Sequence, residues 1–400
     1  MSLKKRPKNK ERLDRVARLY LAYKFFGALY FSYPIFYEFA SQTITPIQVG
    51  LFFSIIGMCG FFAEIPTGII ADKRSRKFSG LFGISMLVIA PLVIYFGHTF
   101  SAYLIAAAFY GLGRAFLNGA LDSLVYDHKN VDKLAYRKVN AHEITFGQAG
   151  ILVGAACGGL LFSVSHSAPF IADAVTGVIC FILIACMREQ HKDGYVKAKT
   201  SHSRHFLQSI KYLVATPYLR RIVLMGVIFS VMLGMCIQFV NEAAMIEQGF
   251  QPTARGLLIS GAGIVTLIIL NLFLLKILKS DKARIIYLGC GAAVAYLSMS
   301  SGLMPLFLFG YLLWCCLNAT SSFIRVMLQD RIPSSHRSTI LSSFKSLAVL
   351  IGLGASTGTG LLVQWAHTPR AAYMVFAGIT MIIILPCVFW LVHHLNQQTS

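Results

Sequence analysis

The sequence predicts an all-α integral membrane protein of twelve transmembrane helices in two pseudo-symmetric six-helix halves. Three observations carry this. Hydrophobic residues make up 56% of the 400 and charged residues only 13%, about half the share usual in soluble domains, and mean hydropathy is +0.65. A soluble chain has too few charges here to cover its apolar surface. Apolar windows of about 20 residues, the length that crosses a bilayer core, recur twelve times. One long polar segment separates six windows from the next six.

The windows fall at roughly 19–41, 49–71, 78–97, 101–125, 140–164, 168–187, 220–243, 254–276, 284–301, 304–327, 339–365 and 371–392. They are numbered spans 1 to 12 below. The first follows a basic stretch, has no small-residue cleavage site, and is too long for a signal-peptide core, so it is read as a retained span. Short connections make consecutive spans antiparallel neighbours. The division expected is residues 1–187 as the N-terminal half, 188–219 as a central loop, and 220–400 as the C-terminal half. Phe206, Ile210, Leu213 and Val214 give the loop's end the pattern of a helix lying in the membrane interface. Parallel repeats about an axis along the membrane normal would produce such an arrangement.

Net charge is +20, but the basic residues do not form one nucleic-acid-binding face. Of the 36 Lys and Arg, 32 fall at the N-terminus, in the central loop and in alternate connections. The opposite connections hold only Arg255 and Arg370, while Lys24 and Arg114 lie inside spans. The positive-inside rule then places both termini and the central loop in the cytoplasm, with the protein in the cell inner membrane. Nucleic acid is excluded as a partner. The nine cysteines lie in apolar runs with no CxxC and no zinc spacing, so they read as reduced packing residues and no metal is expected. No GxxxxGK[ST] loop occurs to cradle ATP phosphates, and no cofactor is expected. His142-Glu143 lacks the second His of a zinc-protease helix, because position 146 is Phe146. The chain is not expected to be an enzyme.

Between spans 2 and 3 stands Gly68-Ile69-Ile70-Ala71-Asp72-Lys73-Arg74-Ser75-Arg76-Lys77. It resembles the signature loop of the major facilitator superfamily, with Ile70 where Leu is usual and Ser75 where Gly is usual. The resemblance covers essentially the whole chain and implies the twelve-helix transporter fold. It further implies a cytoplasmic gate of Gly68, Asp72, Arg76 and Asp127, in which Asp72 meets span 11 and Arg76 bridges to Asp127 at the end of span 4. Charge-assisted bonds suit a gate that must form and break.

Span 5 carries Gly150, Gly154, Gly158 and Gly159. They match the glycines of the superfamily's antiporter motif, with Ala155 where that motif has proline, and imply export by drug/proton antiport. Ordinary close helix packing is the rival reading of the same glycines. Span 4 resembles the exporters' arginine motif at Arg114, although Gly119 follows five residues later rather than four.

An ionised Arg114 near mid-membrane is costly unless paired or hydrated. Asp122, eight residues on, shares its helical face about 12 Å along the axis, too far for direct pairing. Glu64 in span 2 is read as a third buried charge. Glu64, Asp122, Arg114 and then Glu38 are the proton-coupling candidates. Glu38 and Glu242 sit near the outer ends of spans 1 and 7, Lys24 is expected to snorkel to the surface, and Asp173 is expected to be peripheral. Gln238, Asn241, Asn271, Trp314 and Asn318 are the substrate-cavity candidates in the C-terminal half, whose few charges suit a partly hydrophobic or cationic substrate.

The leading expectation is therefore a monomeric secondary transporter that exports a small, amphipathic organic molecule by proton antiport and alternating access. Its partners are the substrate, protons and the lipid bilayer. Proton-coupled uptake or facilitated diffusion of a metabolite or siderophore on the same fold is the alternative. A lipid-modifying enzyme or a membrane sensor is the more distant one.

Overall fold

The computed structural model describes residues 15–127, 133–189, 217–332 and 337–399; the expected interfacial helix lies outside them. Among the described residues the chain is helical, without strands, and eleven helices are long and apolar enough to cross a membrane. They correspond to spans 2 to 12. Span 1 is present as shorter helical pieces.

Short polar caps set the turns. Span 2 (Pro46–Lys73) opens on Pro46, and the Gln48 side chain accepts from the Thr45 backbone N–H at 2.9 Å, as a capping box requires. Ser75 caps span 3 (Arg76–Gly97) by accepting from the Phe78 N–H at 2.9 Å. Thr99 and Ser280 do the same for spans 4 and 9. Such tight turns leave each helix no choice but to run back beside its predecessor.

Several spans are interrupted, which the hydropathy windows do not reveal. Span 1 is helical over Arg15–Phe26, loses the helix over 27–32, and resumes as a 3-10 turn at Tyr33–Ile35 and a helix at Phe36–Ser41. This corrects the continuous helix expected over 19–41. Pro34 is the cause: it has no N–H, and its ring clashes with the carbonyl four residues back. The freed backbone groups must be satisfied inside the protein, because lipid offers no partner. Span 4 breaks between Phe100–Leu117 and Ala120–Tyr126 at Gly119, whose φ of 74° suits glycine. Span 12 carries a π-helical turn at Thr380–Ile384, just before Pro386, which cannot donate the next ladder bond.

The glycines of span 5 (Lys133–Val164) explain how span 1 can be irregular at membrane depth. A Cβ on Gly150, Gly154 or Gly158 would collide with Phe25 O, Tyr30 N or Phe31 O. One glycine per turn thus forms a groove that receives the non-helical backbone of span 1. Gly159 makes the next contact, against Pro252 of span 8.

The first six spans meet the last six along two seams. In one, span 2 packs on span 11 (Arg337–Ala366): Gly50 lies against Ser356, Ser54 Oγ reaches Leu353 O at 2.5 Å and Thr357 Oγ1 at 2.8 Å, and Gly360 lies against Pro46. In the other, span 5 packs on span 8 (Pro252–Ile269): Ser163 meets Thr253 at 2.9 Å, Gly256 lies against Ala155 O, and Ser260 Oγ donates to Leu152 O at 2.6 Å. All these contacts belong to the membrane half away from the termini, here the far face.

We expect Gly158→Val to lower the thermal midpoint of the purified protein by several degrees, since overpacking typically costs about 1–3 kcal/mol. Gly147→Ala, where a Cβ would meet nothing within 4 Å, should leave the midpoint unchanged. Equal behaviour of the two variants in a detergent melt would refute the groove.

Candidate functional site at membrane depth

The seam faces continue toward the termini without closing. On span 2 the face of Gly50, Ser54 and Gly57 leads, turn by turn, to Glu64, Gly68 and Asp72. Glu64 is exposed, Ile65 is 61% exposed, and open space surrounds Gly68. On span 5 the face of Gly159, Ala155 and Leu152 leads to Gln148 and to Ile144, 65% exposed. Span 8 is likewise exposed at Leu267 and Asn271. Three of the four helices that touch on the far face thus present open, partly polar faces on the termini face.

The charges of the first six spans gather around this opening. Lys24 does not snorkel. Its Nζ lies 2.6 Å from Glu143 Oε1 and 3.2 Å from Asp122 Oδ1, and Tyr20 OH donates to the same Asp122 oxygen at 2.5 Å. A long chain inside a helix pair reaches a carboxylate at depth more readily than it reaches water. Beside this cluster, Tyr23, Lys24, Tyr30, Glu143, Ile144 and Gln148 line a cavity of about 360 Å³. Glu64 accepts a hydrogen bond from Asn118 Nδ2 at 2.9 Å. Arg114 is exposed, and among the described residues no side chain or carbonyl hydrogen-bonds or ion-pairs with it.

The position of Arg114 follows from its neighbours on span 4. Gly111 and Asn118 touch span 2, while Tyr110 lines the space beside Tyr30 and Asp173. Arg114 lies between these directions on the helical wheel, and so points into the opening. As expected, it does not pair with Asp122; the kink at Gly119 and the pull of Lys24 settle that carboxylate elsewhere.

At the termini face, Arg76 Nη1 is ion-paired with Asp127 and donates to Ser123 O at 2.9 Å. Glu189, which the sequence reading did not single out, accepts from Ser75 and from the Arg76 N–H. Asp72 occupies the last turn of span 2 and is exposed.

At the far face a second charge cluster ties the two sets of spans together. Glu242 of span 7 is 7% exposed, and its carboxylate accepts from Tyr37 N at 2.7 Å and from Glu38 N at 3.0 Å, beyond the break in span 1. The Glu38 side chain is ion-paired with Arg255 of span 8, itself 1% exposed, and Arg255 also donates to Pro34 O at 3.2 Å and Phe250 O at 3.0 Å. Arg370 pairs with Glu247 at 3.1 Å. Both cations of the sparsely charged face are therefore engaged. Asp173 holds the other side of the break, accepting from Phe31 N at 2.7 Å and Ser32 N at 3.2 Å.

The polar residues singled out in the last six spans divide. Asn271 and Asn318 are exposed. Gln238 is half-buried and accepts from Ser356 Oγ at 2.9 Å across to span 11. Asn241 and Trp314 are buried: Asn241 accepts from Tyr373 OH at 2.8 Å, and Trp314 stacks on Tyr311. Lys24, Glu143 and Arg255 were missed as a set because hydropathy shows each one as an isolated charge. Their pairing depends on which helices are neighbours.

Comparison with known proteins agrees with this architecture. The chain resembles solved structures of the nucleoside transporter NupG (TM-score 0.74, 13% identity, covering 94% of this chain and 98% of that one). It also resembles a D-xylose-proton symporter (0.66, 14%, 93% and 96%) and a bacterial homologue of the lysosomal transporter Spinster (0.65, 13%, 94% and 94%). At such identities the likeness concerns the fold. No curated protein matches the chain in sequence. The family model of the Major Facilitator Superfamily matches residues 19–357, and the chain is a member of that superfamily of membrane transporters.

Proposed function

We propose that this transporter exports a small organic molecule across the inner membrane by proton antiport, with both termini in the cytoplasm. The carrying observation is the asymmetry of the seams: packed and charge-locked on the far face, open among ionised side chains on the termini face. With the termini cytoplasmic, as 32 of 36 basic residues favour, the conformation is inward-facing and ready to load. The N-terminal half (1–187) and C-terminal half (220–400) then rock about a central site.

The two ends support an exchange of equals. Outward opening must break the Glu38–Arg255 pair and strip Glu242 of its two backbone donors. The Arg76–Asp127 pair lies within the first six spans and is already formed, so closure of the termini face replaces what is lost by bringing Asp72 to span 11, and the states stay near balance so that ligands can bias them. Inward movement of one charge through 100 mV releases about 2.3 kcal/mol, enough for a gradient of roughly fifty-fold. Glu64 and Asp122 stand in the opening and are the carboxylates proposed to carry the proton, with Arg114 governing substrate binding. A proton on either makes the cavity less anionic and so promotes release of a bound cationic group.

Uptake or facilitated diffusion is the second reading. Ala155 stands where the antiporter motif has proline, and span 5 runs as one helix through that position. Accumulation in everted but not right-side-out vesicles would establish export; the reverse would establish uptake.

Three outcomes are expected. Asp72→Asn should impair transport with membrane insertion intact, and should raise labelling of a cavity cysteine from the termini side; wild-type transport with unchanged labelling would remove Asp72 from the gate. Arg255→Ala should act oppositely. It leaves Glu38 without its counter-ion, and each 1.4 kcal/mol lost from the far-face lock shifts the equilibrium about tenfold. In a cysteine-free background, Ser356→Cys on the buried seam should then label severalfold faster from the far side, and no change would exclude a lock. Glu64→Gln and Asp122→Asn should in at least one case abolish uphill movement while sparing downhill exchange at saturating substrate, whereas Arg114→Ala should damage both. Normal stoichiometry in both acid variants would move the proton site to Glu38.

A further inference from the structure

The charges facing the opening are not equally satisfied. Lys24 is neutralised by two carboxylates. Arg114 has no such partner among the described residues, and Glu64 receives only the neutral amide of Asn118. Asn118 follows Arg114 by one helical turn, so the guanidinium and the carboxylate flank one short stretch of span 4, too far apart to pair. At this depth a guanidinium is costly unless it is paired or hydrated. Among the described residues the opening therefore holds one cation and one anion apart, neither of them ion-paired.

We propose that the substrate is a zwitterion, with its carboxylate on Arg114, its ammonium on Glu64, and Asn118 between them. This rests on reading the opening as the substrate site, and it narrows the substrate to amino-carboxylates such as amino acids or short peptides. The guanidinium fork matches a carboxylate with two parallel hydrogen bonds. An amine alone leaves Arg114 uncompensated. A carboxylate alone meets the charge of Glu64. Only a molecule bearing both groups answers both. The ammonium and a proton then compete for Glu64, which ties substrate release to protonation without a further residue.

The test is the melting midpoint of the purified full chain in detergent with matched sets of probes. Phenylalanine, phenethylamine and 3-phenylpropionate form one set; leucine, isoamylamine and 4-methylvalerate a second; and tryptophan, tryptamine and indole-3-propionate a third. In at least one set the zwitterion should stabilise at concentrations at least about tenfold below either half-molecule, a difference of about 1.4 kcal/mol in binding. Arg114→Gln should reduce the zwitterion to the level of its amine, and Glu64→Gln to that of its carboxylate. If Arg114→Gln does not fold, Arg114→Lys keeps the charge without the fork and should weaken the zwitterion while preserving its rank. Amines equal to zwitterions, or no stabilisation by any of the three zwitterions, would overturn the proposal. The assay has no membrane and no gradient, so its failure leaves the direction and coupling of transport untouched. Absent proton flux would leave zwitterion binding standing.

Discussion

The break in span 1 is the constraint on which the rest of the structure turns. Pro34 prevents a continuous helix, and a broken helix at membrane depth has N–H groups that lipid cannot satisfy. Two carboxylates resolve this from opposite sides. Asp173 takes Phe31 and Ser32 within the first six spans, and Glu242 takes Tyr37 and Glu38 from the last six. A local conformational problem is thereby converted into a contact between the two sets of spans. The glycine groove of span 5 follows from the same cause, because only residues without a Cβ let the irregular backbone lie flat against the neighbouring helix.

That conversion also explains the distribution of charge on the far face. Glu242 already holds the backbone of span 1, so Arg255 is free to hold the Glu38 side chain one position along, and the Pro34 carbonyl as well. These bonds are short-range and directional, and they fail together once the faces separate by a few ångströms. A gate needs this property: strong when shut and without partial engagement when open. Apolar seams such as Gly50 on Ser356 contribute close packing, which is also lost over a short distance.

Much of this was legible in the sequence. Hydropathy found spans 2 to 12, and the motif at residues 68–77 led to Arg76 and Asp127, which do pair. Interruptions were not legible, because a hydropathy window counts apolar residues and is blind to whether their backbone is helical. Pro34 was the available signal. The ionic partners were hidden for another reason. Asp122 and Glu143 stand 98 and 119 positions after Lys24, and helical periodicity gives each residue a face but not the helix that face meets. Lys24 was accordingly assigned to the surface, and Asp173 to the periphery.

The same limit explains why an unpaired charge says more than a paired one. Lys24 with Glu143 and Asp122 forms a network whose members need nothing further, and fixing the positions of spans 1, 4 and 5 is a sufficient account of it. Arg114 admits no such account. Its neighbours on span 4 fix its direction, the kink at Gly119 carries Asp122 away to Lys24, and Glu64 is occupied by an amide that cannot neutralise it. Among the described residues this guanidinium has no counter-ion, although Glu64 lies on the adjoining span 2 and Asp122 on its own span. Among the described residues the acids are arranged so that none pairs with Arg114, and a substrate carboxylate is its proposed counter-ion.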